Sequence, residues 1–209
     1  MLESIEHRQK DLPLKEINSV AVIGIGGVGS WVATFLALSG VKNLLLVDPD
    51  IVEFTNLNRT PFNIASAITK ESKVSAITNY ILERRECNVI PIEKKFENAG
   101  LSMFLDYEII VDCRDVSTPL PEELQNKMKI TGGYNGMDMS IHVNPSGDSI
   151  FGEGNNGYTV TPSWLIPPVM IASIITTYLF ATWEEENEII QNINIADLIS
   201  DVINSKYMN

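Results

Sequence analysis

The sequence predicts an α/β protein whose sheet is mostly parallel, with helices on both faces and a few antiparallel strands added at one side. Three observations carry this. INSVAVIG (17–24) and NLLLVD (43–48) are unbroken apolar runs, the pattern of strands buried on both faces. Between them, Ser30 to Ser39 reads as a helix closed by Gly40, with Trp31, Phe35 and Leu38 on one face. Strand, helix and strand in that order make a right-handed crossover unit. The alternation then continues downstream.

The remaining elements follow in order. PDIVEFTNLNRTPFNIAS (49–66) reads mostly as loop. Residues 70–86 predict a helix, with Val74, Ile77, Ile81 and Leu82 at three- and four-residue spacing. NVIPIEKKF (88–96) is a third strand, GLSMFLD (100–106) a short helix and YEIIVDC (107–113) a fourth strand. PEELQNKMK (121–129) carries the signals of a helix start, proline followed by two glutamates. From Lys129 onward the pattern turns antiparallel, with alternation in DMSIHVN (138–144) and a turn at SGD. GEGNNGYTVTPSW (152–164) reads as a mobile glycine-rich loop. A buried helix is expected from Pro168 to Glu186, and a weak amphipathic helix near IADLISDVI (195–203). The expected organisation is one domain over 1–209, with a helical arm at 1–16 and a polar tail at 187–209.

Bulk composition narrows the classes. The chain has 209 residues, 44% of them hydrophobic, enough for a core without a disulfide or structural metal. Cys87 and Cys113 are its two cysteines and no CxxC occurs, so no zinc site is expected and a reducing, cytoplasmic setting is. The apolar run at 169–183 is too short to span a bilayer. Net charge is −12, the wrong sign for a nucleic-acid partner.

The chemistry begins at Gly24-Ile25-Gly26-Gly27-Val28-Gly29, a GxGxxG turn that follows a strand and opens a helix. Bare backbone there lets phosphate approach, and the amides of the helix start donate to it. Asp48 ends the second strand, where a carboxylate can accept from ribose hydroxyls. These features define a Rossmann-like nucleotide site and fit two chemistries equally: hydride transfer with a dinucleotide, or adenylation with ATP. No Walker A sequence is present, so a P-loop NTPase is excluded.

The charged residues after Asp48 separate the two. A triphosphate must be gripped, and its pyrophosphate leaving group gains charge in the transition state, so cations and a metal-binding carboxylate are needed. Asp50, Asn56, Asn58 and Arg59 follow within eleven residues of Asp48, Lys73 opens the next helix, and Asp115 lies beyond the fourth strand, at the sheet edge where ligands bind. Each of these alone is an ordinary surface or turn residue; together and in order they favour adenylation.

GIGGVGS, LVDPDIVEFTNLNRT, Lys73 in ESKVSA, and VDCRD resemble the adenylation domain shared by ThiF, MoeB and the ubiquitin-activating enzymes, over about Val20 to Asp115. The resemblance implies an ATP- and Mg²⁺-dependent enzyme that adenylates the C-terminal Gly-Gly carboxylate of a small ubiquitin-fold or sulfur-carrier protein, or a peptide. It places Gly24, Gly26, Gly27, Gly29 and Ser30 beneath the phosphates and Asp48, with Asp50, on the nucleotide. It sets Asn56, Arg59 and Lys73 against the phosphates, and Asp115 on the metal. It further implies a homodimer, with Arg8 reaching the neighbour's ATP. No cysteine follows in or after 144–168, where sulfur-transferring and thioester-forming relatives keep one, so a minimal adenylating domain is expected, one that hands its acyl-adenylate to a partner's amine or sulfur or to a separate cysteine protein. Cys113 reads as a structural thiol, and His7 and His142 as isolated. The competing readings are a NAD-dependent oxidoreductase, a non-catalytic nucleotide-binding regulatory module, and the family's tRNA-modifying branch, which the acidic charge disfavours.

Overall fold

A computed structural model describes residues 8–115, 120–145, 162–181 and 189–205. Among these, seven strands form one sheet in the order β3-β2-β1-β4-β5-β6-β7. They are β1 (Ser19–Ile23), β2 (Asn43–Val47), β3 (Asn88–Ile92), β4 (Ile109–Asp112), β5 (Met128–Asn135), β6 (Asp138–Val143) and β7 (Ile189–Asn194). The first five are mutually parallel, and β5-β6-β7 run antiparallel. The chain builds outward from β1 through β2 to β3, then returns to the other side of β1 with β4. That reversal makes a topological switch point between β1 and β4.

Burial on both faces explains the unbroken apolar strands. Val20, Val22, Leu44 and Leu46 face the larger core with Val32, Leu36, Ile77, Ile171 and Ile175. Ala21, Ile23, Leu45 and Ile110 face the other, with Phe96, Phe104 and Leu124. The larger core is roofed by α1 (Gly27–Ser39), α3 (Lys73–Leu82) and α4 (Ile166–Phe180). The second face is covered by short 3₁₀ turns at Phe96–Asn98, Leu101–Phe104 and Glu122–Leu124. Gly132 lets α4 sit close on β5: a Cβ there would fall 2.8 Å from Ile171 and 2.9 Å from Ile175. Pro167 and Pro168 occupy the first turn of α4, where no amide partner is lost.

Several elements differ from expectation. The helix expected over 121–129 is one 3₁₀ turn, because Met128 pairs with Ile109 and draws the chain into β5. The helix expected over 70–86 is shorter, since Ser72 caps it by accepting from Ser75 N, while Lys70 ends α2 (Ile64–Thr69) in a left-handed conformation (φ 53°). That short α2, capped by Asn63, stands where loop was expected. Trp31, Phe35 and Leu38 do share a face of α1, but its less buried one; Val28, Val32 and Leu36 face the core. Of the expected helical arm at 1–16, residues 8–12 form a turn and bend and 13–16 no regular element, and 1–7 lie outside the described residues. The tail contains β7 before α5 (Ile195–Ser205), the latter near the expected helix. The SGD turn and most of the glycine-rich loop, 146–161, lie outside the described residues.

Candidate functional site

The glycine turn is shaped by two close approaches. Gly24 has φ +83°, and a Cβ there would meet the Cys113 carbonyl oxygen at 2.8 Å and the Arg114 amide at 2.9 Å. Gly29 seats α1 on β1: a Cβ there would fall 1.8 Å from the Gly24 carbonyl oxygen. Gly26, at the N-cap of α1, faces open space. Side-chain-free backbone at the start of a thirteen-residue helix is suited to an anion.

Asp48 ties this turn to the end of β2. One carboxylate oxygen accepts from Ile25 N at 2.6 Å and the other from Asp50 N at 2.8 Å. The side chain is buried, and burial pushes its carboxyl above the ordinary value, against the opposing pull of Lys73 and of the Asp50 and Ile25 amides. Each oxygen keeps a second lone pair for a ligand hydroxyl. Ser30 is fully buried, its hydroxyl donating to the Gly27 carbonyl at 3.2 Å, which sets it beneath the turn.

The loop after Asp48 folds back over the turn. Lys73 is ion-paired with Asp50 at 2.8 Å, and its amide donates to the Asp50 carbonyl at 2.9 Å. Asn56 is buried, its side-chain oxygen accepting from Glu53 N at 3.0 Å, so it builds the loop. Arg59 lies against Gly27, its Cδ 3.6 Å from where a Cβ on that glycine would be. Its backbone carbonyl accepts from Trp31 Nε1 at 3.0 Å, which clamps the loop to α1. Its Nη1 donates to the Thr55 carbonyl and to Asn58 Oδ1.

On the other side, β4 ends in Asp112, level with Ile23 and one residue below Cys113. Arg114 is gripped by Asp112 (Nη2 to Oδ2 2.8 Å, Nε to Oδ1 2.9 Å), paired with Glu97 at 3.3 Å and laid over the Phe96 ring. This fixes the bend from which the exposed Asp115 leaves. Among the described residues no three His, Cys, Asp or Glu side chains form a metal cluster. A nucleotide-bound Mg²⁺ needs fewer, one or two carboxylates plus phosphate oxygens, and Asp115, three residues beyond β4, is an exposed carboxylate on that side. Burial and the Asp112 carboxylate hold the Cys113 thiol far above its ordinary value, and a Cβ on Gly29 would touch its Cβ at 3.3 Å; it is a packing group.

Arg8 stands apart. Its neighbour Gln9 donates to the Ser39 carbonyl at the far end of α1. A helix of that length separates it from its own glycine turn by about 20 Å. Sequence reasoning missed Tyr134 and Ser163. Tyr134 follows two glycines at the carboxyl end of β5, and its hydroxyl lies 2.9 Å from where a Cβ on Gly27 would be. An aromatic residue at that strand end, after a glycine pair, was the available signal.

A glycine turn, a buried acid after the second strand and a cationic loop meeting at a switch point define a nucleotide-binding α/β protein. The chain belongs to the ThiF family, which matches residues 5–118. It is 38% identical over 101 residues to a tRNA threonylcarbamoyladenosine dehydratase of Bacillus subtilis (strain 168), covering 47% of this chain and 39% of that protein. It is 28% identical over 170 residues to the adenylyltransferase and sulfurtransferase UBA4 of Kluyveromyces lactis, covering 80% of this chain and 37% of that one. The chain thus spans well under half the length of these curated relatives. Among solved structures its fold is like that of PaaA (TM-score 0.63, 20% identity, 91% of this chain and 66% of that one). It is also like Escherichia coli MccB crystallised with AMPCPP and MccA (TM-score 0.58, 20% identity, 85% and 64%). No helix among the described residues is long and apolar enough to cross a membrane.

Proposed function

We propose that this chain is an ATP- and Mg²⁺-dependent adenylyltransferase of the ThiF type. Its substrate would be a carboxylate, foremost the C-terminal Gly-Gly of a small ubiquitin-fold or sulfur-carrier protein or of a peptide. The observation that carries the reading is the meeting of the open turn at Gly26, the Arg59 loop and the end of β4 at one switch point. The names of UBA4 and of the MccB complex with MccA and AMPCPP agree with it.

In the proposed reaction a carboxylate oxygen attacks the α-phosphorus of ATP. The new P–O bond makes an acyl-adenylate, and the bond to the β-phosphate oxygen breaks to release pyrophosphate. The chain's part is to align the two and to stabilise charge. Amides at the start of α1 receive phosphate oxygens, Asp48 accepts from the ribose, and Arg59 and Lys73 turn their charge toward the leaving pyrophosphate. Asp115 would hold Mg²⁺, which supplies charge neutralisation there. Arg8, remote from its own turn, would serve a second subunit's site in a homodimer. We place the protein in the cytoplasm.

The likeness to a tRNA dehydratase favours a second reading, with a tRNA-borne carboxylate as the substrate; the net charge of −12 weighs against it. A thermal-shift titration tests the nucleotide. At a hundredfold excess over Kd, ATP–Mg²⁺ stabilises by about 2.7 kcal/mol, and Asp115→Ala abolishes the shift. Stabilisation by NAD and not by ATP refutes the proposal. ATP-dependent pyrophosphate exchange with a Gly-Gly-ended peptide against tRNA then separates the two substrates.

A further inference from the structure

Arg59 ends a chain of hydrogen bonds whose other end, the Tyr134 hydroxyl, lies over the glycine turn. Its Nη1 donates to Asn58 Oδ1 at 3.0 Å. The other side of the same amide, Asn58 Nδ2, donates to the Ser163 carbonyl at 2.9 Å. Ser163 Oγ is hydrogen-bonded to the Tyr134 hydroxyl. That hydroxyl stands over Gly27, on which Arg59 Cδ also borders. The Gly136 amide, one strand-end away, donates to the Pro162 carbonyl at 3.1 Å and steadies the same segment.

We infer that Asn58, Ser163 and Tyr134 are positioning residues that preorganise Arg59 for the phosphates of the nucleotide. The inference rests on the proposed ATP chemistry and adds three residues from three separate parts of the chain to it. The physical argument is one of orientation. A primary amide has one acceptor end and one donor end. Donation to the Ser163 carbonyl commits Nδ2, so Oδ1 is the end that meets the guanidinium. Arg59 is thereby held through Nη1 alone, leaving Nε and Nη2 without a partner among the described residues and free for an anion. Tyr134 in turn fixes where Ser163 stands. A half-buried arginine on a surface loop otherwise has many rotamers to lose on binding; this chain of bonds removes part of that cost beforehand.

The test compares two probes, ATP–Mg²⁺ and adenosine, on the wild type and on Tyr134→Phe, Ser163→Ala and Asn58→Ala. Affinities come from calorimetry for ATP–Mg²⁺ and from ligand-observed NMR for adenosine. Each variant weakens ATP–Mg²⁺ by about three- to tenfold, the worth of one hydrogen bond, and leaves adenosine unchanged. The links act in series, so Tyr134→Phe combined with Asn58→Ala is no weaker than Asn58→Ala alone. Ser163→Thr, which keeps the hydroxyl, retains wild-type affinity. An unchanged ATP affinity in Tyr134→Phe, an equal fall for both probes, or additive losses overturns the inference while the proposed function stands. A wild type that binds no ATP–Mg²⁺ overturns both.

Discussion

Two alanine substitutions three residues apart in the turn have opposite signatures, because one glycine is needed for packing and the other for access. Gly29→Ala puts a methyl carbon 1.8 Å from the Gly24 carbonyl oxygen, 3.0 Å from its carbonyl carbon and 3.3 Å from the Cys113 Cβ. These are backbone atoms and the Cβ of a partly buried neighbour, so nothing flexible yields; α1 must move off β1 by roughly 1.5 Å to restore contact distances. Overpacking of this kind costs about 1–3 kcal/mol or more, against a helix-propensity gain for alanine of at most about 1 kcal/mol. The net result is a loss of stability, and with it of the register between the turn and Asp48. Gly26→Ala meets nothing within 4 Å, and Gly26 lacks the positive φ that would exclude alanine. Its cost is the N-cap preference, about 0.5–1 kcal/mol. Yet its methyl stands in the space through which phosphate must approach. Urea unfolding and ATP–Mg²⁺ thermal shifts on both variants therefore give an unstable Gly29→Ala and a stable Gly26→Ala that no longer responds to ATP. A Gly26→Ala protein that binds ATP as the wild type does would refute the assignment of the open backbone to the phosphates.

Two further predictions concern buried acids and thiols. Asp48→Asn replaces one acceptor by a donor opposite the Ile25 or Asp50 amide, leaving a buried N–H unpaired; the expected loss is about 1–3 kcal/mol by urea unfolding. Because the native carboxyl is raised above 3.8, its contribution is fully present below that value and is lost as pH rises through the native pKa. The stability advantage of wild type over Asp48→Asn therefore narrows from acid toward neutral pH, and a constant difference would contradict it. Cys113 and Cys87, both raised chiefly by burial, resist thiol reagents in the native protein at neutral pH and react on unfolding. Fast labelling of native Cys113 would reinstate it as a nucleophile.

What the sequence made legible is what local pattern decides. β1, α1 and β2 follow from apolar runs and a glycine turn. The glycine spacing and Asp48 locate the switch point because both lie within one crossover unit. The failures have a common cause. Residues 121–129 carry good helix-start signals, but parallel pairing with β4 outweighs a local preference. β7 (IIQNIN) is neither an unbroken apolar run nor a clean alternation, and only its pairing with β6 makes it a strand. Tyr134 and Ser163 are 29 residues apart, and Asn58 and Ser163 are 105 apart. No periodicity connects them; the sheet edge does.

The site residues that pattern did identify are also already engaged within the protein. Lys73 holds Asp50, Arg59 holds Thr55 and Asn58, and Asp48 holds two amides. On the proposed reading, nucleotide binding therefore costs Lys73 an exchange of partners, while Arg59 keeps its Asn58 bond and offers Nε and Nη2. The Asp50 side chain is 62% exposed, so its pairing with Lys73 is screened and worth about 1 kcal/mol at most. A polyphosphate carries several charges and displaces it readily. The Asp48 bonds are buried and need not break, because each oxygen has a lone pair to spare. The turn can thus stay rigid while Lys73 changes its partner. An acidic chain gains from this arrangement: with a net charge of −12, unpaired cations at the sheet edge would attract other carboxylates of the same surface. Occupying them with an exposed acid and a neutral amide keeps the edge ordered without holding it shut.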